Sequence, residues 1–471
     1  MIYRPVNGAM WDPSLIWFDG KYHAFMMYSR DTANGFDAGH CLKAVSDDGV
    51  HWRDDTVVIE EPERQKGWKF FKCFVVRCGD RFIMNHGVAR PEGQDLMRFY
   101  ESKDLKTWNL ISSTRPDPRW YGLPPDPHRW DHMYILPKEE GNPAAGYWGY
   151  PVAVAKPGEP CGVGMMHSPD GRTWEVLPPA RVEWGDIPPA NLEWGGCERF
   201  AGKFYLIGGG VHMGFKAYGM FVFQADAPTG PFRPDPETVR LCGNSHVRIS
   251  WLAAWCRGNG ELLISNYASM EPGNLAPWLL PLRQPIADEN GHLHLAWWKG
   301  NEALKGPRLP FDVTSATVDA AQNAFQTVAL PLHFDENKGI VIEGRIRAHA
   351  AGPEAAAGLA LAESGDACMA VLLGIGKPGA RETRIGRLKG GGTASFEVMD
   401  VTGTHSATVT GIEDGREHRF RLLSRIGLFE LYIDDRLMQT FFYKPGEGRL
   451  RLVARSARAE FSDLRAWTVS L

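Results

Sequence analysis

Three carboxylates, Asp12, Asp131 and Glu193, have the residue type and the sequence setting for chemistry. Each stands at the head of a run of apolar and aromatic residues whose alternation predicts a strand. Carboxylates brought together without partners repel one another and raise at least one pKa, a cost that a structural role does not require. At the floor of a pocket such groups can cleave a glycosidic bond, since one attacks the anomeric carbon or activates water while a protonated one supplies a proton to the leaving oxygen.

The surroundings of the three carboxylates predict different roles. Glu193 is the predicted proton donor, because Trp194 and Trp184 would provide apolar surroundings that keep a carboxyl group protonated near neutral pH. Asp12 is the predicted nucleophile or base. Asp131 is predicted to hold the sugar hydroxyls and to stabilise the positive charge that develops in the transition state.

Further residues are predicted to bind the substrate around these carboxylates: Trp11, Lys72, His132, Trp194, His246 and Arg248. Alternatives stay open for two of the three roles, with Glu198 in place of Glu193 and Asp117 or Asp126 in place of Asp131. The sequence has no HExxH helix, EF-hand loop or P-loop, so neither a metal ion nor another cofactor is predicted.

The carboxylates belong to a repeated pattern of strands. Similar segments begin at Trp11, Cys73, Asp131, Glu193 and His246, about sixty residues apart, which is the length of one four-stranded propeller blade. We therefore predict an all-β fold with a five-bladed β-propeller. The innermost strands of the blades meet at one mouth, so their polar first residues would converge there.

A second pattern closes most of the predicted blades. It reads SDDGVHW over residues 46–52, SKDLKTW over 102–108 and SPDGRTW over 168–174, while the fourth segment ends differently, with APTGPF over 227–232. Asp-Gly and Pro-Thr-Gly favour tight turns, and the aromatic residue that follows would cap the outer hairpin of the blade.

The pattern changes near residue 300, and the sequence predicts a second domain beyond it. Residues 1–300 are predicted to form the propeller, 301–312 a linker, and 313–471 a jelly-roll-like β-sandwich of strands with period-two alternation. Residues 351–358 are predicted to form a loop, although a short helix is the alternative. The sandwich is predicted to cover blade edges.

Several motifs resemble glycoside hydrolase family 32, the invertases, inulinases and levanases. AMWDPSLIWFDGKYHAF around Asp12 resembles the nucleophile motif W-M-N-D-P-N-G-L-I-Y of that family. Glu193 through Ile207 is similar to its E-C-P-D-L segment, and Arg129-Trp130-Asp131 to its R-D-P motif with one residue inserted. The C-terminal FRLLSRIGLFELYIDDRLMQTFF resembles the appended sandwich. The resemblance implies a furanosidase with Asp12 as nucleophile, Glu193 as acid/base and Asp131 as stabiliser.

The motifs also depart from that family. Trp11 replaces the Asn before the nucleophile, Ser14 replaces the Asn-Gly that follows, and Trp194-Gly195-Gly196 replaces Cys-Pro-Asp. Asp12-Pro13-Ser14 also matches the shorter motif of family 43, so fructosyl- and arabinosyl-like substrates, and retention or inversion, all stay open. The other candidate functions are a non-catalytic glycan-binding propeller and a transglycosylase or phosphorylase with the same pocket.

Composition limits the partners. The 471 residues carry a formal net charge of −4, and the isoelectric point is near 6.4. No basic stripe is present, so neither nucleic acid nor a membrane is a predicted partner. The partner predicted from the three carboxylates is a carbohydrate substrate. The N-terminus does not resemble a secretory signal, and the 8 cysteines lack metal-binding spacing, which together predict a cytoplasmic protein. The sequence makes no prediction of oligomeric state.

Overall fold

Regular secondary structure is almost all β, as the alternating residues and frequent turns predict. The computed structural model describes the chain apart from the following residues: 31–38, 61–67, 91–92, 124–128, 155, 157–161, 186–192, 213–216, 245–247, 250–253, 270–276, 312, 363–366, 378–381, 390–394, 403–410, 445 and 447. Within the described residues, two short 3-10 helices, Pro143–Ala145 and Lys299–Leu304, accompany the strands. None of the described helices has the length and apolar character needed to span a membrane.

The chain forms two units. The N-terminal unit comprises Ile2–Asp235 and Arg248–Leu293, and the C-terminal unit comprises Met1, Pro236–Val247 and His294–Leu471. The second unit thus takes a short segment from between two parts of the first. The predicted boundaries divide the chain once, near residue 300, and do not assign this segment to the second domain.

The N-terminal unit contains four sets of antiparallel strands, each set in a different sheet and consecutive in sequence. Their strands are β1 (Ala9–Phe18), β2 (Lys21–Ser29), β3 (His40–Ser46) and β4 (Trp52–Glu60); β5 (Lys69–Cys78), β6 (Arg81–Arg90), β7 (Gly93–Ser102) and β8 (Asn109–Thr114); β9 (Trp130–Pro137), β10 (Tyr147–Ala153), β11 (Gly162–Ser168) and β12 (Glu175–Arg181); and β13 (Glu193–Phe200), β14 (Lys203–His212), β15 (Ala217–Ala225) and β16 (Arg233–Pro234). β17 (Arg240–Asn244) follows in the C-terminal unit.

A fifth group of strands completes this unit. It contains β18 (Arg248–Ile249), β19 (Ala254–Gly258), β20 (Glu261–Ser265), β21 (Tyr267–Ser269), β22 (Trp278–Leu279) and β23 (Arg283–Ala287). Near the start of the chain, Ile2 and Tyr3 exchange backbone hydrogen bonds with Leu279 of this group. β19 also pairs in parallel with β1 at Ile16 and Arg257. Residues from the two ends of the unit's sequence are therefore held together by backbone pairing.

The repeated Ser-x-Asp pattern forms one kind of turn. In the first copy, the Ser46 hydroxyl oxygen accepts hydrogen bonds from the backbone N–H groups of Asp48 and Gly49, and Asp48 Oδ1 accepts those of Val50 and His51. The turns at Ser102 and Ser168 repeat this arrangement. Each turn thus satisfies its own backbone donors with two short side chains.

The tryptophans that end the first and third patterns form hydrogen bonds back to their own turns. Trp52 and Trp174 donate through Nε1 to the carbonyl oxygens of Gly49 and Gly171, at 3.0 and 3.1 Å. In the middle copy Leu105 stands in place of the glycine and adopts φ +58°, while its side chain is fully buried. Apolar burial there offsets the strain of a left-handed conformation.

The strands of the C-terminal unit are β24 (Leu293–Trp297), β25 (Lys305–Arg308), β26 (Ala316–Asp319), β27 (Phe325–His333), β28 (Ile340–Ala350), β29 (Ala356–Ala362), β30 (Ala367–Gly376), β31 (Thr383–Lys389), β32 (Ser395–Thr402), β33 (Ile412–Glu413), β34 (Glu417–Arg425), β35 (Leu428–Ile433), β36 (Arg436–Phe442), β37 (Arg449–Arg455) and β38 (Ala457–Val469). They belong to two large sheets, in which neighbouring strands of this unit are antiparallel apart from the parallel pair β30 and β33. In the first sheet the strands of this unit have the order β25-β38-β28-β34-β35-β36-β24 with β26 beside β38, and in the second the order is β27-β37-β29-β30-β31-β32 with β33 beside β30. One hydrophobic cluster takes residues from both sheets, among them Ile342 and Leu431 of the first and Leu359 and Leu452 of the second.

Residues 301–312, the predicted linker, contain regular structure. They include the end of a 3-10 helix and all of β25, which pairs with β38 at Lys305–Val469 and Arg308–Trp467. The alternation in β25 to β27 is too short or too interrupted by proline to be recognised in sequence. Residues 351–355 form no helix, and β29 begins at Ala356.

All seven described cysteines are buried and outside any disulfide, and Cys161 lies outside the described residues. Burial is typical of cysteines that act as small apolar residues. The Sγ atom of Cys73 on β5 lies 3.3 Å from that of Cys41 on β3.

Candidate active site

Asp131 and Glu193, which are far apart in sequence, share one guanidinium group. Arg129 Nη2 lies 2.8 Å from Asp131 Oδ2 and 2.5 Å from Glu193 Oε1. Asp131 lies on β9 and Glu193 is the first residue of β13. The nearest charged neighbour of the Glu193 carboxyl is therefore a cation, whereas the sequence predicted an apolar surrounding of tryptophans.

Asp12 belongs to the same group of charges. Burial raises the pKa of Asp12 to about 7, and the negative charges of Glu193 and Asp131 act in the same direction. The Lys72 ammonium and a hydrogen bond from the Tyr267 hydroxyl oppose this rise. The N-terminal unit thus brings all three predicted carboxylates into electrostatic contact, and the Asp12 carboxyl group changes its charge near neutral pH.

The first strands carry these residues at irregular positions. The register of β1 against β2 shifts between Trp11 and Ser14, which brackets Asp12, and the register of β5 against β6 shifts between Phe71 and Cys73, which brackets Lys72. β9 and β13 also have shifts, near Asp131 and Glu193. Such bulges redirect side chains that a regular pleat would alternate between faces. Asp12 itself adopts φ +53°, a strained value for a residue with a side chain.

β6 fixes the position of Asp131 from behind. The side-chain amide of Asn85 donates to the Met133 carbonyl oxygen at 2.8 Å and accepts from the Met133 N–H at 2.7 Å. At Gly87, an added Cβ atom would lie 2.5 Å from Asp131 Oδ1 and 2.9 Å from Asp131 Cα. A glycine is therefore required for this close approach of β6 and β9.

Asp131 is held ionised. Burial alone would raise its pKa, but the charges of His132 and Arg129 and their hydrogen bonds outweigh burial and lower the pKa well below the usual range. The backbone N–H of His132 donates to Asp131 Oδ1 at 2.7 Å, and Arg129 Nη2 donates to Asp131 Oδ2. A permanently charged carboxylate suits the predicted stabilising role and does not suit a proton donor.

Two predicted substrate ligands lie behind the carboxylates. His132 is fully buried and Trp194 is 2% exposed. His132 Nε2 lies 3.3 Å from the Trp194 carbonyl oxygen, and the Trp194 ring packs edge-on against Phe223. Burial lowers the pKa of His132. In this arrangement both residues can position Asp131 and Glu193, but their rings are not exposed to a solvent-borne sugar.

The structure also places the other predicted residues. Trp11 is half-buried and packs on the cluster that contains Phe25 and Phe70. Lys72 is buried close to Asp12. His246 lies outside the described residues, and of Arg248 only the backbone, in β18, is described.

The alternative carboxylates have partners elsewhere. Glu198 is fully buried and accepts two hydrogen bonds from Arg257, at 2.9 and 2.7 Å, and one from the Tyr134 hydroxyl. Asp117 pairs with the exposed Arg119. Asp126 lies outside the described residues.

Sequence reasoning missed two of the contributing residues. Arg129 precedes Asp131 by two positions, and in an extended chain residues two apart point to the same side, so its proximity to Asp131 was readable. Tyr267 had no comparable signal, because its hydrogen bond to Asp12 depends on how the fifth group of strands lies beside β1.

The comparisons of sequence give one short match. No family model matches the chain. A segment of 46 residues is 52% identical to the levanbiose-producing levanase of Bacillus subtilis, and the match covers 9% of this chain and 8% of the levanase. The chain therefore aligns with less than a tenth of that enzyme's length.

Solved structures resemble the chain over nearly its whole length. Sucrose-6-phosphate hydrolase from Lactobacillus gasseri is 14% identical with a TM-score of 0.68, and the alignment covers 99% of this chain and 92% of that one. Fructan 1-exohydrolase IIa from Cichorium intybus is 12% identical with a TM-score of 0.69, and the alignment covers 99% of this chain and 96% of that one. The GH32 beta-fructofuranosidase of Bombyx mori is 13% identical with a TM-score of 0.65, and the alignment covers 99% of this chain and 92% of that one. In fold, this chain resembles the furanosidases of glycoside hydrolase family 32.

Proposed function

We propose that this chain is a glycoside hydrolase that cleaves a furanosyl bond, with fructosides as the first substrates to test. The observation that best supports the proposal is that Arg129 contacts both Asp131 and Glu193, and that the charges of these two carboxylates and of Lys72 act on Asp12. The likeness in fold to fructoside-cleaving enzymes and the short match to a levanase support the same class of substrate.

The proposal includes a finer architecture for both units. We assign the four sheets and the fifth group of strands to the five blades of a β-propeller, and the two sheets of the C-terminal unit to a β-sandwich. In support, β1 lies beside β5, β5 beside β9, β9 beside β13, β13 beside β19, and β19 beside β1. This circular order is what the first strands of a closed propeller require.

In the reaction, each carboxylate has a separate task. Glu193 gives a proton to the glycosidic oxygen as the bond to the anomeric carbon breaks, and Asp12, in its ionised form, either attacks that carbon or removes a proton from the attacking water. Asp131, which stays ionised, hydrogen-bonds the sugar hydroxyls and stabilises the oxocarbenium-like charge. The productive protonation state therefore has the proton on Glu193 and the charge on Asp12.

The pH dependence follows from Asp12. Because burial raises its pKa to about 7, the ionised form required for attack is lost as pH falls through that value. We expect kcat/KM to be low in acid and to rise with pH across about pH 6–8. The measurement is a pH profile on an aryl furanoside, and a profile flat from pH 5 to 8 would exclude Asp12 as the ionised group.

The direct test is a screen of the purified chain and two variants. We expect turnover of aryl furanosides, fructans or both, with little turnover of aryl pyranosides. Asp12→Asn should lower turnover by about 10³-fold or more on every substrate. Glu193→Gln should lower it by about 10²–10⁴-fold on natural glycosides and much less on aryl glycosides, whose leaving groups need little protonation.

Asp117→Asn provides the matched control, because Asp117 was an alternative to Asp131 and pairs with an exposed arginine. It should leave turnover unchanged. Full activity of both Asp12→Asn and Glu193→Gln would show that the reaction takes place elsewhere. The anomer of the first product, observed by NMR, distinguishes retention from inversion.

One observation favours a second candidate, a glycan-binding module without catalysis. The Glu193 carboxyl is paired with Arg129, and such a pair can hold sugar hydroxyls without transferring a proton. Binding of fructans by calorimetry with no product after prolonged incubation would favour this candidate. Products larger than the substrate would instead indicate transglycosylation.

A further inference from the structure

Lys72 is a buried cation at the centre of the candidate site. It lies at the bulge of β5, is 1% exposed, and its ammonium nitrogen is 4.6 Å from the centroid of the Phe74 ring. Within the described part of the chain, no residue forms a hydrogen bond with Lys72 Nζ. A buried ammonium without such bonds is costly unless opposite charges surround it.

Asp12 is the complementary group. Its Oδ1 atom is also buried and has no hydrogen-bond partner among the described residues. β1 and β5, which carry Asp12 and Lys72, are joined where Ser14 Oγ accepts a hydrogen bond from the Val75 N–H at 3.2 Å. Asp12 and Lys72 are therefore buried at the bulges of neighbouring strands, and the charge of each acts on the other.

The other charges nearby are already matched. Facing Asp12 are Lys72 from β5, Asp131 from β9, Glu193 from β13 and the Tyr267 hydroxyl from β21. Arg129 is in direct ion pairs with both Asp131 and Glu193, and His132 lies 3.3 Å from Asp131. Among the described residues, Lys72 is thus the cation whose charge acts mainly on Asp12.

We propose that Lys72 is a positioning residue whose ammonium charge keeps the Asp12 carboxyl group ionised in a site that otherwise favours its neutral form. The inference deepens the proposed function, on which its catalytic meaning rests, although the coupling between the two groups is a property of the protein alone. Without this charge, burial and two carboxylates act on Asp12 with only the Tyr267 hydrogen bond to oppose them. The nucleophile or base would then be protonated, and idle, across neutral pH.

The coupling must be reciprocal. Burial lowers the pKa of Lys72, and Asp12 is the largest of the charges that oppose this lowering. Because the interaction has a single free energy, removal of either partner must shift the titration of the other by a matching amount and in the opposite direction. A residue that only fills space would show neither shift.

The experiment is a carboxyl NMR titration of the full chain labelled with ¹³C at aspartate. Comparison with Asp12→Asn identifies the Asp12 signal. We expect a midpoint near 7 in the wild type, a rise of about one pH unit or more in Lys72→Met, which keeps a long side chain without charge, and about the wild-type midpoint in Lys72→Arg, which keeps the charge. An unchanged midpoint in folded Lys72→Met would overturn the proposal.

A second measurement covers the case in which Lys72→Met does not fold. In Asp12→Asn labelled with ¹³C at the lysine ε carbon, Lys72 should titrate at a lower pH than in the wild type. An unshifted Lys72 titration would overturn the proposal equally well. Neither readout needs a substrate. Coupling without turnover would therefore contradict only the proposed function. Turnover without coupling would contradict only the role of Lys72.

Discussion

At the scale of single residues, Gly87 shows how closely the site is built. The variant Gly87→Ala would place a methyl group 2.5 Å from Asp131 Oδ1 and 2.9 Å from Asp131 Cα. The second atom is backbone, so a rotamer change cannot relieve the clash, and β9 must shift. We expect a loss of roughly 1–3 kcal/mol in the free energy of unfolding together with a fall of about 100-fold in turnover by the folded fraction.

Gly149→Ala is the matched control. An added Cβ there would meet the Met133 sulfur at 2.2 Å and the Trp174 ring at 3.0 Å, both of them side-chain atoms in the packed interior. We expect a comparable loss of stability by urea denaturation but turnover close to that of the wild type. Equal losses of turnover in the two variants would mean that general destabilisation, and not displacement of Asp131, explains the effect of Gly87→Ala.

The sequence predicted the site residues whose positions follow from the repeat, but not those placed by contacts between strands. Asp12, Asp131 and Glu193 could be predicted as one group, because each lies near the start of a strand in a repeated unit and the repeat implies a common place for those starts. The pairing of Glu193 with Arg129 was not, since it depends on a side-chain position between strands β9 and β13. Trp194 was expected to surround Glu193, but the shift in register beside it directs its ring toward Phe223.

At the scale of elements, the repeated turns make the N-terminal unit sensitive to acid. Burial alone would raise the pKa of Asp48, but hydrogen bonds from His51 and Val50 outweigh it and lower the pKa to about 2. Backbone N–H groups likewise lower the pKa of Asp104, and they outweigh burial at Asp170. A carboxyl group with a depressed pKa in the folded state stabilises the fold above its unfolded pKa, and this contribution fades as pH falls toward the folded value.

The corresponding prediction concerns a triple variant in which Asp48, Asp104 and Asp170 are replaced by asparagine. Asparagine keeps an accepting oxygen but does not ionise, so the pH dependence due to these turns should disappear. Between about pH 4 and 2, the urea midpoint of the wild type should fall more steeply than that of the variant. Parallel curves would mean that other carboxylates account for acid unfolding.

The strands that sequence failed to predict share a physical feature. Long segments such as β28 and β38 were recognised, since buried residues alternate with more exposed ones along much of each strand. β25 is only four residues long and contains Pro307, and β27 carries Pro331 close to its end. Short edge strands gain their stability from pairing with neighbours that are distant in sequence, which local alternation does not reveal.

At the scale of the whole molecule, residues just before the predicted second domain contribute to the C-terminal unit. The longest segment of this unit begins at His294, well before residue 313, where the sequence predicted the second domain to begin. Between these points β24 pairs with β36 at Ala296 and Arg436, and Trp297, which is 6% exposed, packs edge-on against Tyr432 and beneath the Arg421 guanidinium.

The last prediction compares two fragments, 294–471 and 313–471. The shorter fragment lacks β24, β25 and Trp297, and so removes the neighbours of Tyr432, of β36 and of the end of β38 at Trp467 and Val469. Loss of a buried tryptophan alone costs about 3–5 kcal/mol, which is a large part of the stability of a typical domain. We therefore expect 294–471 to unfold cooperatively on heating, and 313–471 to unfold at a much lower temperature or to aggregate. The fragment 294–471 carrying Trp297→Ala should fall between the two. Equal melting temperatures for 294–471 and 313–471 would show that the strand pairing of residues 294–312 adds no stability to the unit.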